Sequence, residues 1–168
     1  MNDGMDELSR RLGEVCLAAK VKVAAAESCT GGGVGEAITR AAGSSAWFDR
    51  GFVTYSNEAK VDLLGVRQET IGSHGAVSEA VAREMALGAL HQSDADVAVA
   101  VTGVAGPGGG TAAKPVGLVW FAWASLDGGV RTKFEVFGGD RAAIREQAVA
   151  EALRGLVATA GGGREIPA

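Results

Sequence analysis

Apolar positions along the chain follow two spacings, and these predict interleaved helices and strands. Leu8, Leu12, Val15 and Ala19 recur every three or four residues, which is the spacing of one helix face. Short continuous runs of apolar or β-branched residues indicate strands instead. The predicted strands are residues 21–26, 51–55, 97–101, 116–124 and 131–137. The predicted helices are residues 6–20 and 31–42, a short helix that Asn57 would cap, one from Ser78 to about residue 91, and a last one that Asp140 would cap.

The order of these elements predicts the fold class. The run at 97–101 is entirely apolar, which is typical of a strand buried on both faces, whereas the strand at 131–137 is more polar and suits an edge. The last two strands follow each other through a turn at 127–129 with no helix between them. We therefore predict an α/β fold: a single three-layer α/β/α domain over residues 1–160, with a mixed, mostly parallel central sheet. The glycine-rich residues 161–168 are expected to form a flexible C-terminal tail.

Composition excludes several classes of protein. With 168 residues, 47% hydrophobic and 21% charged, the chain has the size and balance of one globular domain. Its net charge of −4 gives no electrostatic basis for a nucleic-acid or membrane partner. Two cysteines, two histidines and no CxxC or HxxxH motif argue against a disulfide framework and against a zinc site. We expect no cofactor. The acidic N-terminus is unlike a signal peptide, and no apolar run reaches the ~20 residues that span a bilayer. We expect a cytoplasmic protein.

Glycine is the unusual feature, at 26 of 168 residues, about twice the usual ~7%. One internal cluster, Gly31, Gly32 and Gly33, follows Ser28, Cys29 and Thr30 where a predicted strand gives way to a helix. Free N–H groups at such a turn can hold an anion or an oxyanion, although a simple cap with tight packing is the alternative. The cluster matches neither a GxxxxGK[ST] P-loop nor a GxGxxG dinucleotide fingerprint.

Three further segments carry candidate chemistry. Lys60 lies five residues after Tyr55, which is not the spacing of four found in short-chain dehydrogenases. Lys60 could act as a base if desolvation lowers its pKa. A second glycine-rich loop leaves the most apolar strand at the end where α/β sheets bind ligands. Arg141, at the start of the last helix, could bind a phosphate. The loop's candidate binding residues are Thr102, Gly103, Gly106, Gly109 and Gly110.

Taken in order, these motifs resemble the CinA C-terminal-domain family, in particular its stand-alone nicotinamide-nucleotide amidases, over about residues 5–158. The motifs that carry the resemblance are Ala26-Glu27-Ser28-Cys29-Thr30-Gly31-Gly32, Gly43-Ser44-Ser45 with Phe48, Tyr55-Ser56-Asn57-Glu58-Ala59-Lys60, His74-Gly75-Ala76-Val77-Ser78, Thr102-Gly103-Val104-Ala105-Gly106-Pro107, Gly109-Gly110-Thr111, Lys114-Pro115-Val116-Gly117 and Gly139-Asp140-Arg141. The larger family members carry an extra N-terminal domain, whose activity we do not transfer to this chain.

The resemblance implies a metal-independent amidohydrolase that converts nicotinamide mononucleotide (NMN) and water to nicotinate mononucleotide and ammonia. It implies that Ser28 is the nucleophile and that Lys60 and Tyr55 assist proton transfer. The loop at 102–107 and Arg141 would face the nucleotide, with the phosphate on glycine-loop N–H groups or on Arg141. The N–H groups around Thr30, Gly31 and Gly32 would hold the oxyanion.

Four points stay open at the level of the sequence. Ala113 stands where an acid often precedes Lys-Pro in the family, so whether the loop is ordered in the same way is open. Cys29 could replace Ser28 as nucleophile with help from Lys60 and Glu27, and a non-catalytic pyridine-nucleotide sensor or interaction module would use the same pocket. Small, alanine-rich helix faces leave room for subunit packing, so we expect a homo-oligomer, in the simplest case a dimer.

Overall fold

A computed structural model of the chain describes residues 3–162, apart from the side chain of Asp3; the predicted tail lies outside the described residues from residue 163 onward. The helices are α1 (Asp3–Ala19), α2 (Gly33–Ile38), α3 (Asn57–Leu64), α4 (Gln68–His74), α5 (Glu79–His91) and α6 (Arg141–Ala160). The strands are β1 (Val23–Glu27), β2 (Phe48–Val53), β3 (Val97–Gly103), β4 (Leu118–Ser125) and β5 (Val130–Val136). No helix within residues 3–162 is long and apolar enough to cross a membrane.

The five strands form one mixed sheet in the order β2-β1-β3-β4-β5. β1 pairs in parallel with both β2 and β3, whereas β4 is antiparallel to its neighbours β3 and β5. Four of the five strands therefore run in the same direction, which confirms the predicted mixed, mostly parallel sheet. β5 lies at an edge, as its polar pattern predicted.

Helices cover both faces of the sheet, which confirms the three-layer architecture. Alternate residues of β1 face opposite layers: Val23 and Ala25 pack with the cluster that includes α1, α2 and α6, and Ala24 and Ala26 pack with α5. The first layer contains the bulky residues Trp47, Phe121 and Trp123, whereas the second is rich in alanine, which lets α5 approach the sheet closely.

Local sequence signals predicted some helix boundaries correctly and others wrongly. Ser78 and Asp140 cap α5 and α6 as expected, through side chains that accept hydrogen bonds from Val81 N–H and Ala143 N–H. The expectation that Asn57 caps α3 is wrong, because the Ser56 hydroxyl accepts the Ala59 N–H instead. The helix predicted over 31–42 is shorter, and α4 was not predicted.

Candidate active site

The predicted site residues meet at the carboxyl ends of the parallel strands. Ser28 directly follows β1, Tyr55 follows β2, and Thr102 and Gly103 end β3. Adjacent register keeps these ends level, because Glu27 pairs with Val53 on one side and Val101 on the other. Loops that leave the carboxyl edge of an α/β sheet are the usual place for a ligand site.

Glu27 shapes the turn that carries Ser28. Its buried carboxylate accepts the Thr30 hydroxyl at 2.7 Å and the N–H groups of Gly32, Val34 and Gly35 at 3.1, 2.8 and 2.9 Å. A carboxylate at the start of α2 satisfies the free N–H groups of the first helical turn and complements its positive end. The chain from Ser28 to α2 is thereby held in one conformation.

Lys60 meets Ser28 inside the protein. The Lys60 Nζ lies 3.0 Å from Ser28 Oγ, and the lysine side chain is only 1% exposed. It also lies 2.8 Å from the Thr54 carbonyl oxygen and 3.4 Å from that of Tyr55. Within residues 3–162, Lys60 forms no ion pair with a carboxylate.

Burial lowers the pKa of Lys60 below its ordinary value, because the charged ammonium loses its hydration. Nζ also lies 3.5 Å from the Ser56 carbonyl oxygen, and a neutral amine can satisfy these contacts. A neutral amine has two N–H donors, which the carbonyls of Thr54 and Tyr55 can accept, and one lone pair, which can accept the Ser28 hydroxyl proton. This arrangement can deprotonate the serine.

Arg141 and Tyr55 meet across the mouth of the site. Arg141 donates to the Tyr55 hydroxyl at 3.1 Å and to the Gly106 carbonyl at 2.8 Å, so it links the loop after β2 to the glycine-rich loop after β3. The Tyr55 ring is 62% exposed. Lys60 contacts Ser28 directly and reaches Tyr55 only at its carbonyl, so the expected help of Tyr55 in proton transfer stays a prediction.

The glycine-rich loop forms the outer wall. It contains a cis peptide bond between Gly106 and Pro107. Val116 packs against Gly106 and Gly110 so closely that an added Cβ would lie 2.4 Å and 2.9 Å from its methyl groups. Side chains are therefore excluded at both positions, and the loop keeps bare backbone beside the cleft.

These residues enclose a cleft of about 330 Å³. This volume is within the roughly 300–1,000 Å³ usual for small-molecule sites. Eight of the predicted site residues line the cleft: Ser28, Tyr55, Lys60, Thr102, Gly103, Gly106, Gly109 and Arg141.

Thr30, Gly31, Gly32 and Gly110 do not line this cleft, and the expected oxyanion role of Gly31 and Gly32 needs correction. The Gly31 N–H donates to the Ser28 carbonyl and the Gly32 N–H to Glu27, so neither is free for substrate. Thr30 lines a different pocket, together with Arg145. The physical reason is that Glu27 already occupies the start of α2.

Some cleft residues were not predicted from the sequence. Asn57 lines the cleft from the first position of α3, and Ala76 and Val77 line it from the segment after α4. The Ala76 carbonyl accepts the Thr102 hydroxyl at 2.9 Å. The position of Asn57 three residues before Lys60 was a usable signal, because residues at that spacing share a helix face.

Cys29 also lines the cleft, but its surroundings do not favour a nucleophilic thiolate. Burial raises the pKa of Cys29 to about 11. The start of α2, which could have stabilised a thiolate, is filled by the Glu27 carboxylate. Glu27 therefore cannot help Cys29 in the way the alternative requires.

Comparison with known proteins identifies the family. The family model of the CinA C-terminal domain matches residues 5–160 of this chain. The chain is 57% identical over 150 residues to nicotinamide-nucleotide amidohydrolase PncC of Escherichia coli K12, covering 89% of this chain and 91% of that protein. The protein of the same name from Pseudomonas putida is 53% identical over 156 residues, covering 92% and 96%.

A solved structure gives the same result. The competence/damage inducible protein CihA from Agrobacterium tumefaciens superposes with a TM-score of 0.90 at 50% identity, over 92% of this chain and 94% of that chain. The chain therefore belongs to the CinA C-terminal domain family.

Proposed function

We propose that this protein is a nicotinamide-nucleotide amidohydrolase, in which Ser28 and Lys60 hydrolyse the carboxamide of NMN to give nicotinate mononucleotide and ammonia. The observation that carries the proposal is the 3.0 Å contact between Lys60 Nζ and Ser28 Oγ at the inner end of the cleft. The names of the relatives from E. coli and P. putida support the same reaction and substrate.

The first half of the reaction forms an acyl-enzyme. The neutral Lys60 amine takes the Ser28 hydroxyl proton as Ser28 Oγ attacks the carboxamide carbon. When the tetrahedral intermediate collapses, the Lys60 ammonium returns that proton to the departing nitrogen, which leaves as ammonia. Ser28 then carries the nicotinoyl group as an ester.

Hydrolysis of the ester completes the cycle. Lys60, neutral again, takes a proton from a water molecule that attacks the ester carbon. The same proton returns to Ser28 Oγ as the C–O bond breaks, and the carboxylic acid product is released. One water is consumed and one ammonia formed, and no metal takes part.

Main-chain donors support the oxyanion in both halves of the reaction. The N–H groups of Cys29 and Thr30, unlike those of Gly31 and Gly32, have no hydrogen-bond acceptor within residues 3–162. The N–H of the residue after the nucleophile is a common oxyanion donor. We therefore assign the oxyanion to this part of the turn.

The nucleotide's phosphate binds at the mouth of the cleft. Arg141 supplies a fixed positive charge there, held by Tyr55 and Gly106. The N–H groups of Gly108 and Gly109 have no acceptor in the described chain and are available to phosphate oxygens. A net-acidic protein can in this way bind an anion locally.

The test is turnover of NMN by the purified, chelator-treated protein, followed as ammonia and nicotinate mononucleotide, with Ser28→Ala alongside. We expect stoichiometric release of both products by the wild type and none by the variant. A folded wild type that binds NMN without releasing ammonia would contradict the proposal and favour the non-catalytic sensor. Equal turnover by Ser28→Ala would contradict the assigned nucleophile.

A further inference from the structure

We propose that Asn57 is a further catalytic residue, whose side-chain amide donates a hydrogen bond to the oxyanion that forms when Ser28 attacks the carboxamide. The inference rests on the proposed function and extends it. A tetrahedral intermediate of acyl transfer is usually held by more than one donor, and side-chain amides of asparagine serve in this role in other hydrolases.

The first step is that the nearby glycine N–H groups are already in use. Gly31 N–H donates to the Ser28 carbonyl, Gly32 N–H to Glu27 and Gly33 N–H to the Thr30 carbonyl. The glycine-rich sequence beside the nucleophile therefore serves the fold of the turn. Any donor beyond the N–H groups of Cys29 and Thr30 must come from another wall of the cleft.

The second step is the position of Asn57. It is the first residue of α3 and lies three residues before Lys60, so the two side chains share one helix face. Lys60 contacts Ser28 from that face, and Asn57 lines the same cleft as both. The Ser56 hydroxyl, which accepts the Ala59 N–H, fixes the helix start next to it.

The third step is that the Asn57 side chain forms no hydrogen bond within the described residues, whereas the polar side chains near it do. The Thr102 hydroxyl donates to Ala76, and the Tyr55 hydroxyl accepts from Arg141. Ser56 caps α3, so the Asn57 side chain is not used as the helix cap. Within residues 3–162, the Asn57 side-chain amide has no hydrogen-bond partner. A free amide in a cleft built for a carboxamide is available to the substrate.

The experiment compares Asn57→Ala, Asn57→Asp and a control, Glu58→Gln. Glu58 is the next residue of α3, is exposed and does not line the cleft. We expect Asn57→Ala to lower kcat about 10²–10³-fold, as loss of one oxyanion donor does, with a much smaller change in KM. Asn57→Asp should lose more, because a carboxylate would face the developing negative charge. Glu58→Gln should match the wild type.

A second readout separates a hydrogen bond to the oxyanion from a structural role. Sulfur accepts hydrogen bonds weakly, so the oxo-to-thio rate ratio for NMN and its thioamide analogue, measured under single-turnover conditions, reports a donor at that atom. We expect this ratio to fall in Asn57→Ala. An equal loss on both substrates, or an Asn57→Ala protein with wild-type kcat, would overturn the assignment to Asn57 while leaving the proposed function intact. A wild type that does not hydrolyse NMN at all would overturn both.

Discussion

Glu27 and Lys60 are buried to the same extent, each 1% exposed, and both contact the turn that carries Ser28, yet their surroundings are opposite. Glu27 is surrounded by four donors from the turn and from α2. Lys60 has carbonyl oxygens and a serine hydroxyl around its amine, and no carboxylate within residues 3–162. The first environment stabilises a charge, and the second favours its loss.

This difference in surroundings distinguishes a residue that holds the fold of the site from one that is suited to its chemistry. A buried ion is tolerated when hydrogen bonds replace its hydration, as they do for Glu27, and such a group is a fixed part of the fold. A buried amine without a counter-ion gives up its proton more readily than an exposed one, which suits it to act as a base. Glu27, at the end of β1, is therefore a structural acid, and Lys60 of α3 has the surroundings that the proposed base requires.

The largest expected effect is loss of turnover when the Ser28–Lys60 pair is broken. We expect Ser28→Ala and Lys60→Met each to reduce kcat by about 10⁴-fold or more, and the double variant to lose little beyond either single one, because residues that act as a unit are not additive. Steady-state kinetics with NMN measures this. Lys60→Met should fold and unfold at the same or a higher temperature, since it removes a buried amine. Multiplicative losses in the double variant would show that the two residues act independently.

Removing the carboxylate of Glu27 should damage the fold instead. Glu27→Ala leaves three N–H groups and the Thr30 hydroxyl without their acceptor. We expect a loss of about 3 kcal/mol or more in the free energy of unfolding, measured with urea. Glu27→Gln keeps one acceptor oxygen and should lose less. Unchanged stability in both variants would mean that this carboxylate does not hold the turn.

The dependence of rate on pH should report the amine of Lys60. Burial lowers the pKa of Lys60, and the base must be neutral, so kcat/KM should rise tenfold per pH unit up to that pKa and then level off. Measurements above pH 7 avoid the phosphate of the substrate, whose second pKa is about 6. A rate that keeps rising to the ordinary lysine value of 10.5 would show an amine whose pKa is not lowered.

The same pKa predicts a smaller effect on stability. Between the lowered pKa of folded Lys60 and its ordinary value of 10.5, the unfolded chain binds more protons than the folded one. Stability must then rise with pH across that window, relative to Lys60→Met, and the contribution is lost as pH falls through the folded pKa. Urea unfolding of both proteins at several pH values checks the sign. A gap between them that does not change with pH would contradict the lowered pKa.

The smallest effect is expected at Cys29. Because burial raises its pKa to about 11, iodoacetamide at neutral pH should react slowly and leave turnover intact. Cys29→Ala should remain active and lose only about 1–2 kcal/mol of stability, as for removal of a small buried group. Loss of turnover in step with alkylation would favour Cys29 as the nucleophile.

Much of this picture could be predicted from the sequence, and the failures share a physical cause. The strand at 97–101, the caps at Ser78 and Asp140 and the order of the layers follow from local spacing and hydrophobicity. α4 was missed because its seven residues contain a glycine and one large apolar side chain, too little for a periodic pattern. The helix predicted over 31–42 begins only at Gly33, because Gly31 and Gly32 adopt positive φ.

Contacts between residues that are far apart in the sequence could not be predicted from the spacing of residue types along the chain. Arg141 reaches Tyr55 across 86 positions, and Arg145 donates to the Thr30 carbonyl across 115. Glu27 was predicted as a neighbour of the nucleophile and as a helper of Cys29 in the alternative. Its residue type does not show that its carboxylate accepts hydrogen bonds from the turn that follows it. The homo-oligomer expected from alanine-rich helix faces stays a prediction.

The protonation state of Lys60 is the central claim, and it can be measured directly. The protein would be labelled with ¹³C at lysine Cε and titrated by NMR, with Lys60→Arg identifying the Lys60 resonance and the other lysines serving as internal references. We predict that the Lys60 resonance titrates below 10.5, because burial lowers the pKa of this amine. A Lys60 resonance that titrates at 10.5 or higher would contradict the account, because the amine beside Ser28 would then stay charged at neutral pH and could not accept the serine proton.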